Sequence, residues 1–465
     1  MNIPSEIKTI LPWLKGTEAW LVGGSVRDAF LQRATHDYDL IVTGDVIALG
    51  RRIANALDGD FYVLDAERRI CRVFLPVSGE TVTLDLAALR VPSIDDDLLQ
   101  RDFTINAMAL ALADGSLLDP TGGRQDLIDR RLQLCEPDAL RRDPVRILRA
   151  IRFGVELDLC WAPELIHQLR NARPLLAMVS AERLRDEFFS ILGLERAHAA
   201  LRLLVYEGID TILFPFLPPA EKRPEGSALK VVDWLCRLLS WLAPGRSGTA
   251  SSLPEAEALL ELGPWRVALD RDLRQRNASG RSLRELLLLA AYLAGKLEDG
   301  SKAAEGEHRN ALSAARHLHL SNVESRALKT LLDVQPQLDT FDHCEDHAAR
   351  AGYRYFCTAG ALGSAGILLF LARTFAALET EQEPATGRRA IATAAFLFEA
   401  VFGYQETEKG PLLMDGRDVQ KELGIRPGPD IGVLLAKLQE AQALGEIRTP
   451  EEARRYLRTL FNDRE

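Results

Sequence analysis

The 465-residue sequence predicts an α+β fold, a small mixed sheet with helices followed by an all-α remainder. Two observations carry this. Short apolar runs with strand-like alternation are confined to residues 1–120, and beyond them Leu, Ala and Arg accumulate in patterns that favour helix. A chain of this length exceeds one hydrophobic core, with a prior of about three domains.

In order, the expected strands are Ala19 to Val22, Tyr38 to Val42, Asp60 to Leu64, Ile70 to Leu75 and Thr81 to Ala87. A helix is expected from Asp45 to Leu57, with Asp45 as its N-cap. From Asp126 to Val205 the pattern is helical and crowded with Arg130, Arg131, Arg141, Arg142, Arg146, Arg149 and Arg152. Phe214 to Gly226 and Pro244 to Pro254 read as loops. Helical segments follow at Leu283 to Leu293 and Ala311 to His319, and an amphipathic helix at Val433 to Leu444 comes after a turn at Gly428 and Pro429.

Composition excludes several classes. Hydrophobic residues at 47% and charged residues at 27% are ordinary for a globular protein. A net charge of -10 argues against a generally basic nucleic-acid coat, and no DNA partner is expected. The six cysteines form no CxxC pair, which fits a reducing cytoplasm without disulfides or a zinc ribbon. The N-terminal MNIPSEIKTI lacks a signal-peptide pattern. The uncharged run Ala359 to Ala372 is short of the ~20 residues that span a bilayer, so no membrane partner is expected.

The organising stretch is Leu21 to Val42, LVGGSVRDAFLQRATHDYDLIV. Asp37 and Asp39 stand two apart in a strand, so their side chains share a face. Two carboxylates that close repel unless a cation lies between them. Oxygen-only ligands with open positions suit Mg²⁺, which binds through one or two carboxylates plus substrate phosphates. Gly23 and Gly24 let the backbone approach a phosphate, Ser25 offers a hydroxyl at a helix start, and Arg27 adds a guanidinium fork.

Together with QRDFTINAMAL (Gln100 to Leu110), LLDPTGGRQDLIDRRLQL (Leu117 to Leu134), RRDPVRILRAIRF (Arg141 to Phe153) and SAERLRDEFFSIL (Ser180 to Leu192), this stretch resembles the bacterial class II tRNA nucleotidyltransferase and poly(A) polymerase family. The resemblance implies a nucleotidyltransferase head at 1–120, a nucleobase-reading and RNA-binding helical neck at 121–205, a degenerate HD-like body at 206–400 and a tRNA-binding tail at 401–465. It implies template-independent transfer of a nucleotide to the 3′-hydroxyl of a tRNA lacking its 3′ end, by a two-metal mechanism with Mg²⁺. Asp37 and Asp39 would be the metal ligands, and Asp85 is either a third catalytic carboxylate or an exposed strand-end aspartate. By the same resemblance Arg101, Asp102 and Asn106 hold ribose and triphosphate; Arg149 and Arg152 form either a solvated helical face or, from their place directly after the candidate metal site, contacts to RNA phosphates.

Asp143 and Arg146, one helical turn apart, offer one acceptor and one donor to a base edge. Cytosine and adenine both present an amino donor beside a ring-nitrogen acceptor, whereas guanine and uracil present the reverse. Such a pair reads C and A without a template, each bidentate contact contributing about 1–3 kcal/mol of discrimination. The family usually has Glu before this Asp; here it is Arg142. Only Val91 to Gln100 separates Arg90 from Arg101, where CCA-adding members carry a long flexible loop. That shortening favours CC addition from CTP. Full CCA addition, A addition from ATP and poly(A) synthesis remain as rivals.

LLLLAAYLAGKLEDG (Leu286 to Gly300) and HLHLSNVESRALKTLL (His317 to Leu332) resemble parts of an HD phosphohydrolase. Leu293, Ala294 and Gly295 stand where its His-Asp pair belongs, which disfavours that activity. His308, His317, His319, His343 and His347 show no carboxylate partnership. Gly410 to Ala453 resembles the tail module of such enzymes, whose role is to hold the tRNA elbow.

Overall fold

The computed structural model describes residues 3–77, 79–217, 227–243, 253–294, 303–341, 345–381, 384–407, 412–426 and 428–462. They form two compact units, Met1–Glu187 and Phe188–Glu465. The boundary falls inside the segment expected to be the neck.

The first unit begins with a short helix α1 (Ser5–Lys8), then β1 (Ala19–Val22), α2 (Gly24–Phe30), β2 (Asp37–Val42), α3 (Val46–Ala56), β3 (Asp60–Asp65), β4 (Ile70–Val77) and β5 (Glu80–Ala88). Asp45 caps α3 by accepting a hydrogen bond from the Ala48 N–H at 3.0 Å. Next come α4 (Ile94–Leu99), β6 (Ala109–Ala111), β7 (Leu117–Leu118), α5 (Gly123–Ile128) and β8 (Arg131–Leu132). The unit closes with α6 (Ala139–Arg142), α7 (Arg146–Glu156), β9 (Cys160–Trp161), α8 (Pro163–Ala172) and most of α9 (Ala181–Leu192). The seven-stranded sheet has the order β3-β4-β5-β2-β1-β6-β7. Its only parallel pair is β2 with β5.

The expected strands are present. Four short ones, β6 to β9, were not anticipated, because three-residue and two-residue strands carry too little alternation to be read. Along β2, exposed Asp37 and Asp39 alternate with buried Tyr38 and Leu40, so the sheet has one apolar face and one that turns polar at this end. The polar face is sealed at its other end by Val22, Ile41, Ile94, Leu98, Ala107 and Ala109. Helix α4 thus packs beside the aspartates, on their side of the sheet.

Among its described residues the named elements of the second unit are all helices, with one isolated antiparallel bridge between Arg276 and Ser282. Leu286 to Ala294 are all buried within the helix Leu283–Ala294, so the position of the missing HD pair is core packing. Gly295 and His343 lie outside the described residues, as does most of both expected loops. The His317 ring packs edge-on against Phe216 at 6.4 Å. The helical stretch Ala348–Leu378 is long and apolar enough to cross a membrane, yet 67% of its most apolar window is buried inside the protein. It reads as a core helix.

Near the C-terminus, the helices Gly416–Leu423, Pro429–Ala443 and Pro450–Asn462 enclose a small core that includes Val419, Leu434, Ala441 and Leu457. Asp415 and Asp418 form a capping box, and Gly424 ends the first of these helices in the left-handed region at φ 66°.

Candidate active site

β1 delivers the chain to Gly23, which has φ 72° and ψ -133°, and α2 follows at once. A Cβ at Gly23 would lie 3.0 Å from Arg101 Nη1 and 3.6 Å from Asp39 Oδ2. The absent side chain is what lets backbone, guanidinium and carboxylate converge there. The register explains the rest: Asp39 stands opposite Val22 on β1 and Asp85 on β5, and Asp85 stands opposite Arg72 on β4. Directly opposed residues share a face, so Asp37, Asp39, Asp85 and Arg72 line one surface.

Asp85 is not free. Arg72 grips it with two 2.7 Å hydrogen bonds, one to each carboxylate oxygen. Asp37 and Asp39 carry no such clamp. Asp39 keeps a solvent-exposed edge, but its carboxyl lies low enough for burial to push its pKa up. Repulsion from Asp85 and Asp37 adds to this, and Arg101 and Arg72 oppose it. This concentration of carboxylate charge is a chemical fit for a hard cation. Among the described residues, no group of three or more His, Cys, Asp or Glu is placed to hold a metal. Asp37 and Asp39 would offer two carboxylates to such a cation, with substrate oxygens completing its shell.

Around this floor the expected phosphate and ribose residues are brought together, several in roles the sequence did not indicate. Ser25 is buried and its hydroxyl donates to the Val22 carbonyl at 3.0 Å, fastening the turn. Arg27 is also buried, donating to both oxygens of Asp28 and, at 2.7 Å, to Asn106 Oδ1. Arg101 donates to Asp97 of α4 at 3.0 and 3.1 Å. Buried Asp102 accepts from the Phe103 N–H, from Asn106 and from Arg149. Burial raises the Asp102 pKa, but the Arg149 charge and these hydrogen bonds outweigh it and hold it below the ordinary value.

Asp143 and Arg146 do not sit on one helix. Pro144 disfavours helical backbone at the residue before it, and Asp143 is extended at φ -146° and ψ 92°. The chain turns, the Asp143 carbonyl accepts from the Arg146 N–H at 3.2 Å, and α7 begins at Arg146. The Arg146 guanidinium donates to the carbonyls of Gln100 at 3.1 Å and Arg101 at 3.2 Å. Asp143 Oδ2 accepts from Arg183 at 2.8 Å, while Asp143 Oδ1 is buried and has no partner. One acceptor is left shielded and unsatisfied, beside a donor fixed to the backbone.

A family model described as the poly A polymerase head domain matches residues 19–133. One described as a probable RNA and SrmB-binding site of polymerase A matches residues 158–220. The CC-adding tRNA nucleotidyltransferase of Geobacter sulfurreducens is 34% identical, over 95% of this chain and 92% of its own. The chain belongs to the bacterial class II tRNA nucleotidyltransferase and poly(A) polymerase family. It is a tRNA nucleotidyltransferase. Specificity differs among its relatives, since the A-adding tRNA nucleotidyltransferase of Deinococcus radiodurans is 31% identical over 94% of each chain. A CCA-adding enzyme solved with ATP has the same fold, with a TM-score of 0.65 at 20% identity, over 100% of this chain and 97% of that one.

Within this nucleotidyltransferase, the arginine-rich region differs most from its expectation. Arg149 turns inward to Asp102, and Arg152 to Glu187 and Glu156. Arg130 pairs with Asp158, Arg131 with Glu164 and Arg142 with Glu136. Arg27, Arg149 and Arg152 all stand over the Phe153 ring, at 5.2, 5.3 and 4.3 Å. Arg27, Arg149 and Arg152 thus buttress the neck helix, while Arg130, Arg131 and Arg142 stay exposed in their pairs. Sequence reasoning missed Arg72, Asp97 and Arg183 at the site. Arg72 needed the strand register, Asp97 is a charge on the far side of a short connection, and Arg183 is forty residues from its partner, Asp143.

Proposed function

We propose that this nucleotidyltransferase adds the two cytidines of the 3′ CCA end, from CTP, to tRNA lacking that end. The observation that carries this reading is the state of Val91 to Gln100. It is short, and it is folded: Ser93 caps α4, Ile94 and Leu98 are buried, and Asp97 holds Arg101. Its last residue, with Arg101, supplies the carbonyls that hold Arg146. A connection packed in this way has little freedom to refit a base pocket from CTP to ATP.

In this reading Asp143 Oδ1 accepts from the amino group of cytosine and Arg146 donates to its ring nitrogen and carbonyl. Asp37 and Asp39 hold Mg²⁺, which when bound lowers the cost of charge on the attacking and leaving oxygens. Gly23 admits the triphosphate to the turn, and Arg101 and the Asp102–Asn106 network hold the nucleotide against the floor. The tail at 401–465, whose sequence resembles the tail module of such enzymes, holds the tRNA.

The test uses three tRNA transcripts, ending before CCA, after C and after CC, each incubated with CTP or ATP alone. CTP incorporation into the first two and no ATP incorporation into the third is the expected result. Incorporation of A after CC overturns CC-only addition, and long A tails on any transcript indicate poly(A) synthesis.

A further inference from the structure

We propose that Arg183 is a specificity-determining positioning residue, a clamp that sets which oxygen of Asp143 a nucleobase meets. The inference rests on the base-reading role proposed for Asp143 and extends it to a side chain on a different element. Arg183 lies on α9, in the neck motif, and donates to Asp143 Oδ2 at 2.8 Å. The other oxygen, Oδ1, is buried without a hydrogen-bond partner.

A carboxylate has acceptor sites on both oxygens and can rotate about its terminal torsion, which is broad and shallow. Left alone, Asp143 could turn either oxygen towards the pocket or tilt away from it. Its backbone gives little extra control, being an extended residue in a turn, away from a helix interior. The Arg183 contact consumes one oxygen and restrains rotation of the group, so the buried, unsatisfied Oδ1 is the acceptor left for a base that enters beside it. An amino donor of cytosine or adenine satisfies that acceptor, whereas the carbonyl of uracil or guanine confronts it with a second acceptor. A buried polar group left unmatched is costly, and this cost is the source of discrimination.

Stability does not explain the contact. Arg183 is 55% exposed, and ion pairs at such sites contribute little to stability. Nor is Arg146 in need of it, since that donor is fixed independently by the Gln100 and Arg101 carbonyls. The reader thus has two separately anchored halves, a donor held by backbone and an acceptor held by Arg183.

The test measures kcat/KM for CTP and for UTP singly, on a tRNA transcript ending before CCA, with the full chain. The variants are Arg183→Gln, Arg183→Ala, Arg183→Lys and Asp143→Asn, with Tm and the KM for tRNA recorded alongside. Arg183→Gln and Arg183→Ala are expected to lower the CTP-to-UTP ratio about tenfold, with Tm within about 2 °C and the KM for tRNA within about twofold of the parent. Arg183→Lys should recover part of the ratio, since an ammonium still reaches a carboxylate but does not fix its plane. An unchanged ratio, an equal fall for both nucleotides, or a rise confined to the KM for tRNA overturns the clamp, the last marking Arg183 as an RNA contact. Asp143→Asn separates the two ideas. If it collapses the ratio while the Arg183 variants do not, only the clamp fails; if it leaves the ratio intact, the base-reading role fails and the clamp with it.

Discussion

Asp39 is destabilising in the free enzyme, because burial and the neighbouring Asp85 and Asp37 raise its pKa. A folded-state value above the unfolded one means that the group's favourable contribution is lost as pH rises through the folded value, so at neutral pH ionised Asp39 subtracts from stability. Asp39→Asn should therefore abolish activity by about a thousandfold or more while leaving Tm unchanged or higher. A thermal melt and a CTP-incorporation rate on one preparation check both halves. Asp102 has the opposite sign. Its folded value is depressed, so its stabilisation is present above the unfolded value of about 3.9 and is lost as pH falls through the folded one. Since Asp102 is buried and Arg149 only a third exposed, Asp102→Asn should cost about 2 kcal/mol at pH 7. The gap between the urea midpoints of the two proteins should narrow as pH falls below the unfolded value, and a gap that widens on acidification contradicts the assignment.

At the scale of elements, α4 links the site to the core. Leu98 is fully buried beside Val22 and Ile41, while Asp97 and the following carbonyls reach Arg101 and Arg146. Leu98→Ala should cost about 2–4 kcal/mol. Leu457→Ala, in the separate C-terminal core, removes the same atoms from an equally buried position. If α4 positions the base reader, Leu98→Ala lowers kcat/KM for CTP several-fold more than Leu457→Ala at a temperature where both remain folded. Equal losses would mean that α4 acts through stability alone. The sequence showed this segment as a short length between two motifs. That it is a capped helix, with one apolar face and one acidic residue turned to the nucleotide side, emerged from its packing.

For the whole molecule, the formal charge of -10 and the pairing of many neck arginines with carboxylates, Arg149 and Arg152 inward and Arg130 at the surface, leave RNA binding to limited cationic surfaces. Binding through a few phosphate contacts still releases counterions, so the Kd for tRNA should rise by at least about tenfold between 50 and 200 mM salt. A flat salt response would point to recognition by shape and base contacts instead.

Much of the site was legible because its chemistry is local. The aspartates of β2, the Gly-Gly turn and the Asp143–Arg146 pair are near neighbours in sequence, and strand periodicity alone puts Asp37 and Asp39 on one face. The sequence by itself determined the α+β head, the helical remainder, the family and the residue types that meet a nucleotide. Only the tertiary structure decided which of those groups are available. Strand register gave Asp85 to Arg72, a helix forty residues on gave one oxygen of Asp143 to Arg183, and core packing turned Arg149 and Arg152 inward. Charge pairing across a fold depends on which elements are adjacent in space, and no local pattern of residues encodes that adjacency.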